Sequence, residues 1–321
     1  MIQIVREEKM DYLNFTHAVC NRVREILGEE YQVEIHKVVK NNSLELDSLV
    51  ILQKGKNFAP NIYLKSYYES YLENTSIQEI AERLCNVYRH HCNPIGNEEL
   101  LFSLEKMKQR ITYRLISFDR NQKLLSQVPH LKYLDLAITF QCLVRDDDNG
   151  IGTIRITKEH MKSWKISLED LSSYAAMNTC RLFPATIKTM KETICGLLTD
   201  EIRNYYEYEY CNDIYEPFIA KSFSSDNPPM YVLTNQKGIN GATCILYKNL
   251  LYHFSNQIQS DFYILPSSVH EVILVPFQDN MKITRLEQMV QEVNRTQVAP
   301  EEVLSDRVYY YSREKKGIIL L

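Results

Sequence analysis

Leu134-Asp-Leu-Ala-Ile-Thr-Phe-Gln-Cys-Leu-Val144, then Arg145-Asp-Asp-Asp-Asn-Gly150, then Ile151-Gly-Thr-Ile-Arg-Ile-Thr157: this stretch decides the fold class. The first segment is long and mostly apolar, which predicts a strand buried on both faces. Asp146 to Gly150 is a hairpin turn signal, and Ile151–Thr157 returns as the antiparallel partner. Upstream, Ile111–Ser117 reads as a strand and Asn121–Gln127 as a short helix. Downstream, Ser167 caps a helix whose stripe is Leu168, Leu171, Tyr174 and Ala175, with Asp170 in its first turn. Beyond Pro228-Pro229 the order is strand Met230–Thr234, helix Ala242–Phe254, strand Asp261–Leu265, strand Val269–Val275, helix Ile283–Val293 and strand Arg307–Ser312. That β-α-β-β-α-β order is the one ferredoxin-like folds use.

The N-terminal third reads as helices on a small sheet. Phe15, Val19, Val23 and Ile26 make one stripe over Asp11–Leu27, and Gly28 stops it. Tyr31, Val33 and Ile35 alternate as a strand. Leu44–Leu52 and Asn61–Lys65 supply more strand, and Tyr67 to Leu72 a short helix. Ser76 with Glu79 is a capping box for a helix carrying Ile77, Ile80, Leu84 and Val87. A further helix is expected over Glu98–Lys108. The predicted class is therefore α+β, with mixed, mostly antiparallel sheets and packed helices. Two domains are expected, 1–108 and 109–321.

The 321 residues are 45% hydrophobic and 24% charged, near the globular averages of roughly 45–50% and 25%. Net charge is −4, which argues against a nucleic-acid or membrane-surface role. No apolar run approaches the ~18–20 residues of a membrane span. Met1–Tyr12 carries Arg6, Glu7, Glu8 and Lys9, so no secretory leader is expected. Eight cysteines without a C-x-x-C pair predict reduced thiols in a cytoplasm. The 22 tyrosines stand out. They suit half-buried sheet faces and partner surfaces.

Several stretches resemble an uncharacterised bacterial family, a domain of unknown function from Gram-positive anaerobes. They are Asn61-Ile-Tyr-Leu, Val128-Pro-His-Leu-Lys-Tyr-Leu-Asp-Leu-Ala137, Met230-Tyr-Val-Leu-Thr-Asn-Gln-Lys-Gly-Ile-Asn-Gly-Ala242 and Phe262-Tyr-Ile-Leu-Pro-Ser-Ser-Val-His-Glu-Val-Ile-Leu-Val-Pro276. From Arg110 onward the chain is loosely similar to a second such family, from bacilli, with an echo of Val269-His270-Glu271-Val272. The resemblance implies a bacterial, intracellular protein and brings no known activity.

Ser267, Ser268, His270 and Glu271 are the residue types a hydrolase needs as nucleophile, base and orienter. The plainer reading is a turn whose hydroxyls bond the backbone. Asn235, Lys237, Gly238 and Gly241 form a strand-to-helix loop where backbone N–H groups could meet a phosphate. The spacing fits neither G-x-x-x-x-G-K-[ST] nor G-x-G-x-x-G, and a tight connection is the plainer reading. Cys85, His90, His91 and Cys92 crowd one helix end and are splayed, unlike the convergent pairs zinc requires. The Asp146–Asp148 run lacks an acid at the twelfth position of a calcium loop. No metal or cofactor is expected. Arg313-Glu314-Lys315-Lys316-Gly317 reads as a solvated turn between two strands. Tyr205, Tyr206, Tyr208, Tyr210 and Tyr215, interleaved with Glu207 and Glu209, could form an acidic aromatic face for a protein partner. Those charges disfavour nucleic-acid stacking. Whether the chain is an enzyme is open at this level. The favoured reading is a cytoplasmic binding or accessory protein. The alternative is a small hydrolase or ligand-binding enzyme using loops 235–242 and 267–271.

Overall fold

The computed structural model describes residues 9–56, 59–91, 103–147, 150–203, 229–266 and 268–321. Two compact units divide the chain between Met107 and Lys108.

In the N-terminal unit, helix α1 (Tyr12–Leu27) starts where the Asp11 carboxylate accepts the Asn14 N–H at 2.8 Å. It ends at Gly28, whose φ of 78° few other residues would adopt. Strands β1 (Tyr31–Val39), β2 (Glu45–Gln53) and β3 (Asn61–Tyr63) form an antiparallel sheet in that order. Helices α2 (Lys65–Leu72) and α3 (Ile77–His91) complete the unit. Phe15, Val19 and Val23 of α1, Ile80 and Leu84 of α3 and Leu49 and Ile51 of β2 are fully buried in one core. The helix expected over Glu98–Lys108 is described only as α4 (Leu104–Met107), because residues 92–102 lie outside the described residues.

The C-terminal unit holds two sheets. In the smaller, β4 (Ile111–Ser117) pairs one side of β6 (Leu136–Asp147), while β5 (His130–Tyr133) and β7 (Gly150–Arg155) pair the other. The short α5 (Gln122–Leu125) covers this sheet. The larger has six strands in the order β13-β12-β10-β11-β9-β8. They are β8 (Ala185–Thr189), β9 (Tyr231–Asn235), β10 (Phe262–Leu265), β11 (Val272–Pro276), β12 (Tyr309–Ser312) and β13 (Gly317–Leu320). All strand pairs described are antiparallel, and the protein is α+β. Helices α6 (Lys158–Trp164), α7 (Leu168–Leu182), α8 (Met190–Arg203), α9 (Leu250–Ile258) and α10 (Ile283–Thr296) surround them.

Period two explains why β10 is buried throughout. Phe262 and Ile264 enter the main core with Leu115, Leu136, Leu233 and Tyr309. Tyr263 and Leu265 face the opposite way, onto Leu286 and Val290 of α10. Helix α7 guards the β4 edge. Thr179 Oγ1 accepts the Tyr113 N–H at 3.0 Å, and Asn178 Nδ2 donates to the carbonyls of Lys108 and Ile111.

Several expectations need correction. The strand expected over Leu134–Val144 starts two residues later: the chain turns at Leu134, with φ 57°, and β6 begins at Leu136. Asp135 holds that turn by accepting the Tyr309 and Ser305 hydroxyls at 2.7 and 2.5 Å. Ala242–Phe254 is not one helix. A 3₁₀ segment spans Gly241–Leu246, Tyr247 is extended, and α9 starts only after Asn249, at φ 62°. The Tyr247 hydroxyl is pinned to the Phe183 carbonyl at 2.7 Å, which draws the chain out of the helix. Val269–His270–Glu271 precedes β11 as a turn. Strand β8 and helix α6 were not expected. The β-α-β-β-α-β order along the chain is present. In the sheet β12 sits beside β10, the second of these strands. A ferredoxin-like sheet sets its fourth strand beside the first.

Candidate functional site

β9 delivers Asn235 to the end of the larger sheet, 3% exposed. Its side chain folds the following loop on itself. Oδ1 accepts the Lys237 N–H at 2.9 Å, and Nδ2 donates to the Ile239 carbonyl at 2.8 Å. Gly238 takes a φ of 65°, the left-handed conformation that suits a residue without Cβ. Gly241 is required for another reason. A Cβ there would stand 2.1 Å from Thr234 Oγ1 and 2.3 Å from the His270 carbonyl oxygen.

That contact joins the two predicted loops. The Asn240 N–H donates to His270 Nδ1 at 3.2 Å, and Thr234 Oγ1 donates to the His270 carbonyl at 2.7 Å. The Ala242 N–H bonds the Val269 carbonyl at 3.2 Å. Because Nδ1 is an acceptor, the neutral imidazole carries its proton on Nε2. Nε2 faces Glu302 Oε1 at 3.4 Å. Ser268 Oγ donates to Glu271 Oε1 at 2.8 Å and accepts the His270 N–H at 3.0 Å. Lys237 is drawn aside to pair with Asp146 and lies 5.6 Å from the centre of the Phe183 ring.

The loops therefore meet, and they spend their polar groups on each other. The N–H groups of Lys237, Gly238, Asn240 and Ala242 all have acceptors within the chain, whereas a phosphate cradle presents its N–H groups to the ligand. Ser268 gives its proton to Glu271, and no hydrogen bond links it to the His270 ring. Ser267 lies outside the described residues, as do Tyr205–Tyr215 and Cys92. The neighbouring Cys244 thiol, buried and donating to the Thr234 carbonyl, is raised to about 12 by that burial, far from the range of a reactive thiolate. Cys85, from the crowded helix end, is also buried, and burial raises its pKa. Among the described residues no cluster of three His, Cys, Asp or Glu is placed to hold a metal ion.

An open cleft lies elsewhere in the C-terminal unit. It has a volume of about 290 Å³. Tyr247 and Tyr311 are buried at its floor, Tyr133 and Tyr252 stand half-buried in its walls, and His253 and Lys316 are exposed at its rim. The Lys316 ammonium sits 4.9 Å from the centre of the Tyr252 ring. Sequence reasoning missed this cleft because its walls come from β5, the chain before α9, α9 itself and the β12–β13 turn. The one available signal was the surplus of tyrosine.

The fold and these sites define an α+β protein whose conspicuous Ser, His and Gly residues are engaged with one another. The chain belongs to a family of unknown function, DUF5688, whose model matches residues 12–313. No curated protein and no solved structure matches it. Among the described residues no helix is long and apolar enough to cross a membrane.

Proposed function

We propose that this chain is a binding protein of the bacterial cytoplasm, with no reaction centre of its own, and that the tyrosine-walled cleft takes a small aromatic anion. The cleft carries the reading. Its volume, about 290 Å³, is close to the lower end, roughly 300 Å³, of small-ligand pockets. Tyrosine faces favour a flat ring, and Lys316 at the rim favours a carboxylate. The thiols of Cys20, Cys85, Cys142, Cys180 and Cys244 support a reducing compartment. The resemblance to families of Gram-positive anaerobes and of bacilli supports the bacterial source. An acidic tyrosine-rich face at Tyr205–Tyr215 for a protein partner belongs to the same reading and rests on sequence.

Saturation-transfer NMR with 4-hydroxybenzoate as probe tests the cleft. Transfer should reach the ring protons, vanish in Tyr252→Ala and weaken several-fold in Lys316→Met. Absence of transfer at millimolar probe, or equal transfer in Tyr252→Ala, overturns the reading. The alternative, a small hydrolase at 235–242 and 267–271, draws on one observation: the two segments touch. It requires ester hydrolysis that Ser267→Ala or His270→Ala abolishes.

A further inference from the structure

The smaller sheet of the C-terminal unit encloses most of a charged side chain that it does not neutralise. Thr139 of β6 lies opposite Arg114 of β4, and Gln141 of β6 lies opposite Arg155 of β7. Directly opposed side chains share a face, as do residues two apart on one strand. Arg114, Thr139, Gln141 and Arg155 therefore stand together. Leu124 of α5 and Val128 close over them, leaving a cavity of about 120 Å³ whose polar lining also includes Thr153. Thr139 and Gln141 are 5% and 6% exposed, while Thr153 and Arg155 are exposed and mark the mouth.

Arg114 is the anomaly. Its Nε is sealed from solvent and has no hydrogen-bond partner. No carboxylate among the described residues pairs with it. Burial, with the like charge of Arg155, pushes its pKa down to about 10, so it is still a cation at neutral pH. A buried cation without a counter-charge is strongly unfavourable and is normally paired. Two guanidinium groups lining one small polar cavity are suited to a multi-oxygen anion, because each can offer two parallel N–H donors. The Thr139 hydroxyl proton is engaged with the Arg114 carbonyl at 3.2 Å. The Arg114 Nε–H is a donor without a partner, and the Arg155 guanidinium, the Gln141 amide and the Thr153 hydroxyl also line the cavity.

We propose that this cavity binds one tetrahedral oxyanion of the phosphate type, with Arg114 at the floor and Arg155 at the mouth. The volume admits a single phosphoryl-sized group and lies well below the roughly 300 Å³ at which drug-sized pockets begin. The anion is either free inorganic phosphate or the phosphoryl end of a monoester whose remainder leaves through the exposed mouth. The site is independent of the tyrosine-walled cleft and stands whether or not that cleft binds.

Thermal unfolding and isothermal titration with inorganic phosphate, sulfate and phenyl phosphate, against chloride at equal ionic strength, test it. Phosphate should raise the melting temperature of the full chain, because a ligand that binds only the native state stabilises it by mass action. Arg114→Met should melt higher than wild type without phosphate, since it removes an unpaired buried charge, and should lose the phosphate response. Arg155→Gln, at an exposed position, should keep the fold and weaken phosphate binding at least tenfold. Binding of phenyl phosphate as tight as phosphate identifies a monoester site, and binding of phosphate alone identifies a free-ion site. No stabilisation beyond that of chloride, or an equal response in Arg114→Met, overturns the proposal.

Discussion

At Gly241 a methyl group has nowhere to go. The atoms it would strike include the His270 carbonyl oxygen at 2.3 Å and the Asn235 backbone nitrogen at 2.9 Å, so rotating a side chain cannot relieve the clash. Gly238, three residues earlier, differs. A Cβ there meets nothing within 4 Å, and only its φ of 65° resists substitution. The two glycines separate packing from backbone strain inside one loop. Gly241→Ala should cost about 3 kcal/mol, the upper end for overpacking, and Gly238→Ala about 1 kcal/mol. Urea denaturation of both variants measures this, and equal losses would mean that the loops are not clamped at Gly241. The sequence does place these glycines in a strand-to-helix loop. It does not disclose that the surface pressed on Gly241 is the His270 carbonyl, because that proximity is a product of β9 pairing with β11.

Helix α6 shows a tertiary device hidden in an ordinary cap. Thr157 Oγ1 accepts the His160 N–H at 3.4 Å, and the Thr157 N–H donates back to His160 Nδ1 at 3.1 Å. The His160 ring stacks on Trp164, with centroids 5.7 Å apart. Burial holds the His160 pKa below its ordinary value of 6.5, against a smaller opposing pull from Glu159. The folded state thus binds the proton less readily than the unfolded chain. Its contribution to stability is complete above pH 6.5 and is lost as the pH falls from there through the folded value. Protonation also places a hydrogen on Nδ1, where the Thr157 N–H needs an acceptor. The loss should be on the order of 0.5–1 kcal/mol, the worth of a modest cap. His160→Gln retains an acceptor and does not titrate. Between pH 7 and 5 the melting temperature of wild type should fall relative to this variant, with quenching of Trp164, the sole tryptophan. Parallel pH profiles would refute the assignment.

The same scale shows what the sequence conceals. The strand read at Ile111–Ser117 was legible to the residue. The turn at Leu134 was not, because no Gly, Asn or Pro marks it. The Asp135 carboxylate is held by Tyr309 and Ser305, some 170 positions away. The Arg114 cavity was hidden similarly. Thr112, Arg114 and Ile116 alternate with apolar residues and Tyr113, as any edge strand does. The unpaired charge emerges only once β6, β7 and Leu124 enclose it.

For the molecule as a whole, the separate cores set the question. Every residue of the core built on α1, α3 and the three-stranded sheet precedes Met107. Every residue of the core shared by the other two sheets follows Lys108. A unit with its own core can in principle fold alone. The Arg114 cavity and the tyrosine-walled cleft both lie wholly in residues 108–321. We therefore expect that fragment, expressed alone, to unfold cooperatively in urea at a midpoint within a few tenths molar of the matching transition in the full chain. Its slope should be smaller than that of the full chain treated as one transition, because slope follows the surface exposed. A fragment that is expanded and unfolds without a cooperative transition would show that residues before Met107 stabilise the second unit. Cutting instead within the β8–β9 pair, at Thr189, should destroy cooperativity, because it strips the edge strand from the six-stranded sheet and breaks the ladder from Ala185↔Asn235 to Thr189↔Tyr231. The contrast between the two cuts, at equal protein concentration, distinguishes a domain boundary from a merely tolerant surface.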